Sequence, residues 1–374
     1  MGADSPAVRP DPTAARGRAG GRPAAGFWAE VWRRYRRRPL AMLALVFVGL
    51  LVVVAVFAPA IAGTKPVVCR YKGRIYMPCL GYFDRRLEPA VFAKDRFRGS
   101  YPRNLAEKDP DSWAVWPLLF QDPYRSVRAD EWPGRAENPA MDQGRPSWNN
   151  PFGTTQSGVD VLAKMVHGTT VALLVGFVSM GIAGTIGIVV GALGGYCGGW
   201  IDMLTSRVTE VVMCVPTLVL ILAIIAIIEK PTIWHTMAII GLTGWTGIAR
   251  LTRGEFLRLR SSEFVVAARA AGAGPLRIML RHILPNALAP VLVPITFGIA
   301  SAILTESGLS FLGFGPPPPS ASWGSILTDA RSNLAMWWLV VFPGAAIFLT
   351  VLAYNLIGEG LQEATDPRLR EARK

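Results

Sequence analysis

Residues 39–62 hold no charged side chain, and no other feature of the chain constrains its fold as strongly. A helix needs about 20 apolar residues to cross a bilayer, because the hydrocarbon core offers nothing to an unpaired backbone group. Further apolar runs follow at 170–196, 202–228, 233–249, 287–304 and 336–357, which predicts six crossings. With 51% hydrophobic and only 17% charged residues in 374, the chain reads as an all-α, polytopic membrane protein. The formal charge of +13 would suit nucleic acid, but no aromatic-interleaved basic domain accompanies it. Basic residues beside apolar runs instead mark cytoplasmic loops next to anionic lipid. None of the four cysteines lies in a metal-binding spacing, and the histidines at 167, 235 and 282 are scattered, so no metal site is expected.

Arg33, Arg34, Arg36, Arg37 and Arg38 precede the first run, and by the positive-inside rule they hold the N-terminus in the cytoplasm. Residues 1–26, rich in Ala, Pro, Gly and Arg, read as a disordered cytoplasmic tail. Residues 27–38 interleave aromatics with arginines. They suit an interfacial helix leading into the first crossing, or simply an orienting signal for it.

Residues 64–150 then form a polar insert on the periplasmic side. Its opening alternates apolar and polar residues about Lys72-Gly73, a hairpin pattern. Cys69 and Cys79 flank that turn in an oxidising compartment, and either a disulfide or two free thiols is open. Trp113, Trp116, Trp132 and Trp148 among many prolines suggest a small compact cap. Beyond it, the 170–196 run is dense in glycine, which lets helix backbones approach closely in lipid. Pro216 should kink the third crossing, near whose cytoplasmic end Arg207 and Glu210 either pair or face a substrate path. Arg250, Arg253, Arg258 and Arg260 return the chain to the cytoplasm, and the basic tail at 367–374 stays there.

Between the fourth and fifth crossings lies SSEFVVAARAAGAGPLRIMLRHILPN, residues 261–286. Ser262 is placed to cap a first short helix, Gly272 and Gly274 interrupt it, Pro275 opens a second, and Pro285 is expected to close that one. The result would be a compact knob with a smooth alanine surface from which Arg269, Arg277, Arg281 and His282 project.

This stretch resembles the EAA coupling loop of ABC-importer permeases, matching at Ala267-Ala268, Gly272 and Ile283-Leu284-Pro285. The family's acid is replaced by Val266, although Glu263 lies one turn earlier. The stretch NPFGTTQSGVDVLAKMVHG resembles a second block of the family through Gly153, Thr154, Gly158, Asp160, Val161, Leu162 and Gly168. A third, TESGLSFLGFGPPPPSASWG, matches at Glu306, Leu309, Ser310, Phe311, Leu312 and Gly313, then at Ser322, Trp323 and Gly324. The ending NLIGEGLQEATDPR resembles the family's too.

Together the blocks resemble the C-type permease of dipeptide, oligopeptide and nickel ABC importers, a MetI-like fold of six transmembrane helices. The insert between the first two helices is loosely similar to that of the microcin C/peptide subgroup. The resemblance implies a bacterial inner-membrane, multi-pass chain with both termini cytoplasmic and a transmembrane domain at 151–366. Its implied partners are a second homologous permease, two cytoplasmic ATP-binding subunits, a periplasmic or lipid-anchored solute-binding protein and membrane lipid, with no nucleic acid.

It further implies coupling to the ATPase through Glu263, Ala267, Ala268, Arg269, Gly272, Arg277, Arg281, Ile283, Leu284 and Pro285. Thr296, Glu306 and Ser310 are candidates for a translocation path or gate, with a capping or inter-helix hydrogen bond the other role for Glu306. No phosphate-binding G-x-x-x-x-G-K-[ST] loop is present, so no bound cofactor and no catalysis by this chain are expected. The transported solute would be a short peptide, or alternatively nickel or another small solute. A channel or secondary transporter without an ATPase is a more remote reading.

Overall fold

The structure, a computed structural model, describes residues 27–94, 97, 100–127, 144–148, 150–315 and 321–365. The tails at 1–26 and 367–374, Trp132 and the polyproline stretch lie outside these residues.

A short helix, α1 (Phe27–Tyr35), leads into α2 (Pro39–Ile61), whose first-turn proline gives up only an N–H that has no helical partner there. The insert follows: β1 (Val68–Tyr71), β2 (Arg74–Tyr76), α3 (Ala90–Lys94), α4 (Tyr101–Lys108) and β3 (Trp113–Val115). Then come α5 (Val161–Cys197), α6 (Gly199–Cys214), α7 (Thr217–Ile227), α8 (Ile233–Leu259), α9 (Glu263–Ala270) and α10 (Pro275–Arg277). The chain ends in α11 (Leu284–Leu309), α12 (Trp323–Arg331) and α13 (Trp338–Thr365).

The hairpin about Lys72-Gly73 is present, in an antiparallel sheet of order β2-β1-β3. Cys69 pairs in register with Tyr76, and Cys79 lies beyond β2 in a 3-10 turn, Pro78–Tyr82. The two cysteines are free thiols, so the disulfide is not formed here; Cys79 Sγ donates instead to the Val67 carbonyl at 3.4 Å. Of the insert's tryptophans among the described residues, Trp116 packs against the insert's core. Tyr71, Phe92, Phe97 and Tyr101 fill it with edge-on and tilted ring contacts, while Trp113 is half-exposed and Trp148 fully so.

A polar joint fastens the insert to the bundle. Tyr82 Oη and Thr64 Oγ1 each donate to Asp122 Oδ2 at 3.0 Å. The Tyr82 ring lies 5.0 Å from the His167 ring of α5, whose Nε2 meets the Ala62 carbonyl at 2.7 Å.

α5 is the axis of the bundle. Its Gly187, Gly191 and Gly195, one turn apart, lie against the carbonyls of Trp245, Ala249 and Arg253 on α8, where a Cβ would collide with backbone. Ser179 Oγ donates to the Met237 carbonyl at 3.0 Å further up the same seam, so α5 and α8 run parallel. α6 and α7 must therefore carry the chain back between them. They do so with an 81° bend at Pro216, a sharper break than the expected kink.

α11 runs antiparallel to α5, with Ile299 and Ile303 against Gly176 and Ile295 against Gly184. α2 and α13 complete the bundle, and Arg38 at the start of α2 forms an ion pair with Glu363 near the end of α13. One end thus carries the insert and the other carries both ends of the described bundle together with the 261–286 stretch.

Among the described residues four helices are long and apolar enough to cross a membrane, Pro39–Ile61, Val161–Cys197, Pro275–Phe314 and Trp338–Thr365, and the bent α6–α7 pair makes a fifth. The expected fourth crossing, α8, is 27 residues long but too rich in Gly, Thr and Arg to qualify on composition. Lying backbone-to-backbone on α5, it has less lipid-facing surface to make apolar. The second crossing begins nine residues earlier than expected because Asp160 caps it, accepting from the Ala163 N–H at 2.7 Å. Of the adjacent Trp337 and Trp338 at the start of α13, only Trp337 is exposed. Trp338 is buried, its Nε1 donating to the Thr154 carbonyl at 3.0 Å.

Candidate functional site: a glycine-hinged knob

Residues 261–286 form a helical stretch interrupted at Gly272 as anticipated from the sequence, but only its first half is a closed short helix. α9 ends in two backbone bonds, Ala273 N–H to the Ala268 carbonyl and Gly272 N–H to that of Arg269, both at 3.0 Å. This pattern requires the residue after the cap to be left-handed, and Gly272 has φ +83°. Ser262 occupies the N-cap position, yet its hydroxyl donates back to the Leu259 carbonyl at 2.5 Å and does not cap.

Pro285 does not close the second helix. The segment Ile278–Ile283 takes a π-helical turn and α11 continues directly from it, so Pro275–Phe314 is one long helical segment. The wider turn accommodates a residue that has no N–H to give and whose ring would crowd the carbonyl four residues back.

The knob is held from beneath. Val265, Ile278, Ile283 and Ala287 are buried against Ala192 of α5 and Phe256 and Leu259 of α8. Arg253 braces the base with a two-pronged ion pair to Asp202 of α6, its Nη2 donating to Oδ2 at 2.8 Å. Arg260 Nη1 reaches the last carbonyls of α5, those of Gly195 and Tyr196, at 3.5 and 3.4 Å.

The structure sorts the expected coupling residues by exposure. Glu263, Ala267, Arg269, Gly272, Arg277, Arg281 and Pro285 are on the surface, Ala268 and Leu284 are half-buried, and Ile283 is wholly buried. Sequence reasoning missed the apolar part of the outer face: Phe264, Val266, Leu276 and Leu280 are 42–68% exposed. Their signal was present, since they are the large apolar residues left over once Val265, Ile278 and Ile283 are assigned inward. Val266, standing where the family has an acid, makes this face more apolar. The exposed side of the stretch thus combines apolar Phe264, Val266, Leu276 and Leu280 with the basic Arg269, Arg277 and Arg281.

Of the path candidates, Glu306 and Ser310 come together in the interior at the insert end. Ser310 Oγ donates to Glu306 Oε1 at 2.7 Å, Thr328 Oγ1 donates to the Ser310 carbonyl at 2.6 Å, and Gly324 packs on Ser307 and Ser310. Thr296 stands apart, half-buried, its hydroxyl donating to Leu292 of its own helix. The Arg207–Glu210 pair forms, at 2.7 Å and well exposed.

The bundle, with a glycine-hinged loop exposed at the end opposite the insert, is that of a polytopic α-helical membrane protein. Residues 183–371 match the model of the binding-protein-dependent transport system inner membrane component, and residues 26–73 that of the N-terminal TM domain of oligopeptide transport permease C. The chain belongs to the first of these families, as a multi-pass inner-membrane permease component of ABC importers.

A peptidoglycan transport system permease of Agrobacterium fabrum, YejE, is 30% identical over 359 residues, covering 90% of this chain and 92% of the relative. A peptide permease of Brucella suis is 42% identical over 226 residues, 60% of this chain and 74% of the relative. The dipeptide transport system permease DppC of Alkalihalophilus pseudofirmus is 39% identical over 234 residues, 62% and 77%.

Proposed function

We propose that this chain is one of two homologous permease subunits in an ATP-driven importer of short peptides, with the knob end cytoplasmic and the insert periplasmic. Support for the cargo comes from the relatives, which are named for peptides, dipeptides and peptidoglycan. The YejE alignment leaves so little of the chain uncovered that it must enter the insert, which favours peptides delivered by a similar insert-bearing system.

The observation that carries the mechanism is the exposed apolar face on a loop whose underside packs on α5 and α8, with α8 ion-paired in turn to α6 through Arg253 and Asp202. An ATP-binding subunit docked there would move three helices at once. Closure of two such subunits on ATP would drive the bundle from inward- to outward-open, and a solute-binding protein would deliver peptide at the insert end. In this arrangement α6–α7 and α8 also cross the membrane, giving six crossings. The solute passes between this chain and its homologue, and ATP is hydrolysed wholly by the partner subunits.

The test is uptake of a labelled dipeptide by cells that express the full gene set, with Gly272→Trp as the variant. The bulky side chain on this face, at a backbone angle that only glycine adopts without strain, should abolish uptake and co-purification of the ATPase while the chain still inserts. Wild-type uptake by that variant would remove the docking role. Uptake of nickel but not dipeptide by the wild type would retain the machinery and replace the cargo.

A further inference from the structure

Toward the insert end α11 and α13 diverge and leave a groove of about 470 Å³, lined by Leu304, Gly308, Phe311, Leu327, Gly344 and Phe348 among others. That volume falls in the ordinary range for small-molecule sites, roughly 300–1,000 Å³. A Cβ at Gly308 or Gly344 would meet nothing within 4 Å, so the space is open, and Leu304 and Phe348, 55% and 64% exposed, form its outer lips.

Arg331, at the end of α12, sits over the mouth. Its guanidinium lies 5.6 Å from the centre of the Phe311 ring, and Nη1 donates to the Phe311 carbonyl at 3.0 Å. A guanidinium has five N–H donors, and among the described residues the bond to Phe311 engages one of them while Arg331 is exposed. The acid nearest in sequence, Asp329, is held by Lys164 at 2.8 Å.

We propose that this groove holds an acyl chain of a phospholipid whose phosphate is bound by Arg331. Three observations select that occupant. Both walls belong to apolar helices of membrane-spanning length, which places the groove at the depth of the hydrocarbon. Exposed Trp337, at the neighbouring start of α13, marks the level at which headgroups begin. A cation at that level, above an apolar slot, complements an amphiphile with an anionic head and matches phosphate with a planar fork. Anionic phospholipids are therefore preferred over zwitterionic ones.

The test is native mass spectrometry of the chain, purified in mild detergent with its co-purifying subunits and titrated with phosphatidylglycerol or phosphatidylcholine. The wild type should retain phosphatidylglycerol about fivefold better, the preference expected of one arginine near a headgroup. Arg331→Gln should bring the two lipids level, Arg331→Lys should keep part of the preference, and Gly308→Leu, which fills the slot, should lower retention of both. Millimolar inorganic phosphate should leave the lipid bound; displacement would make the site a plain anion site and overturn the proposal. Equal retention by wild type and Arg331→Gln would also overturn it, as would efficient crosslinking of Phe348→Cys to a partner subunit. Should Arg331→Gln fail to assemble, the lysine and leucine variants still decide.

Discussion

Trp323 Nε1 donates to the carbonyl of Met165 at 3.0 Å, although 158 residues separate them. One turn along α5, Gly168 leaves the indole its place: a Cβ there would press on the ring. Two motif blocks far apart in the chain thus form a single buried contact at the insert end, beside the Glu306–Ser310 hydrogen bond.

Trp323 is 2% exposed, so Trp323→Ala should destabilise the chain by about 3–5 kcal/mol, through the lost side chain and the orphaned Met165 carbonyl. Gly168→Leu should cost a comparable amount by expelling the ring. Thermal unfolding in detergent, followed by tryptophan fluorescence, checks both. An unchanged midpoint in either would mean that the contact is dispensable.

At the α5–α8 seam, Gly191→Leu would drive a side chain into the Ala249 carbonyl and Thr252. Overpacking of this kind costs about 1–3 kcal/mol, and here it wedges two backbones apart. We expect a lowered melting point and proteolysis near 199–214, where α6 leans on the displaced α8. Gly181→Leu, with nothing within 4 Å of the new Cβ, is the control that should leave both readouts unchanged.

Burial pushes the Asp160 carboxyl up to about 6, and among the described residues its Oδ2 has no hydrogen-bond partner. The folded value lies above the unfolded value of 3.8, so the folded state binds the proton more tightly. This stabilisation is present below about pH 4 and is lost as pH rises through 6. Asp160→Asn keeps a side-chain oxygen for the helix cap and removes the charge. It should flatten the pH dependence between 4 and 6 and raise stability at pH 7, by at most on the order of 3 kcal/mol. Melting curves across that range check the sign; a variant less stable than wild type at pH 7 would refute it.

Burial, with a smaller contribution from neighbouring Cys79, raises the Cys69 thiol to about 11, and burial raises that of Cys79 as well. Neither is a reactive thiolate at neutral pH. Mass spectrometry of the purified chain should find both unmodified by iodoacetamide in the native state and both modified on denaturation without reductant. Protection that persists in denaturant until a reductant is added would show a disulfide instead.

Much of this was legible in the sequence, for identifiable reasons. Uncharged runs locate membrane helices because bilayer thickness sets one length scale. Gly272 was readable because few residues other than glycine take a left-handed turn at a helix end. Features depending on distant partners were not readable. Trp338 is buried because Thr154, 184 residues away, accepts its N–H, and no local pattern marks that partner. Pro285 looked like a terminator because the π-helical turn that accommodates it carries no sequence mark of its own. The insert's core rings come from different elements, Tyr71 from β1, Phe92 from α3 and Tyr101 from α4, which meet only in the folded insert, so alternation along the hairpin cannot mark them.

The continuity of Pro275–Phe314 has a mechanical consequence. At 1.5 Å per residue it is a rod about 60 Å long. It packs on α5 near its midpoint through Ile295 against Gly184 and Gly298 against Met180, and just beyond through Ile299 against Gly176. Such a rod behaves as a lever on a fulcrum. A sideways push of a few ångströms on the knob tilts the far tip by a similar distance in the opposite direction, carrying Glu306, Ser310 and the α12 contact with it. Had Pro285 ended the helix, the same push would have been absorbed at a joint.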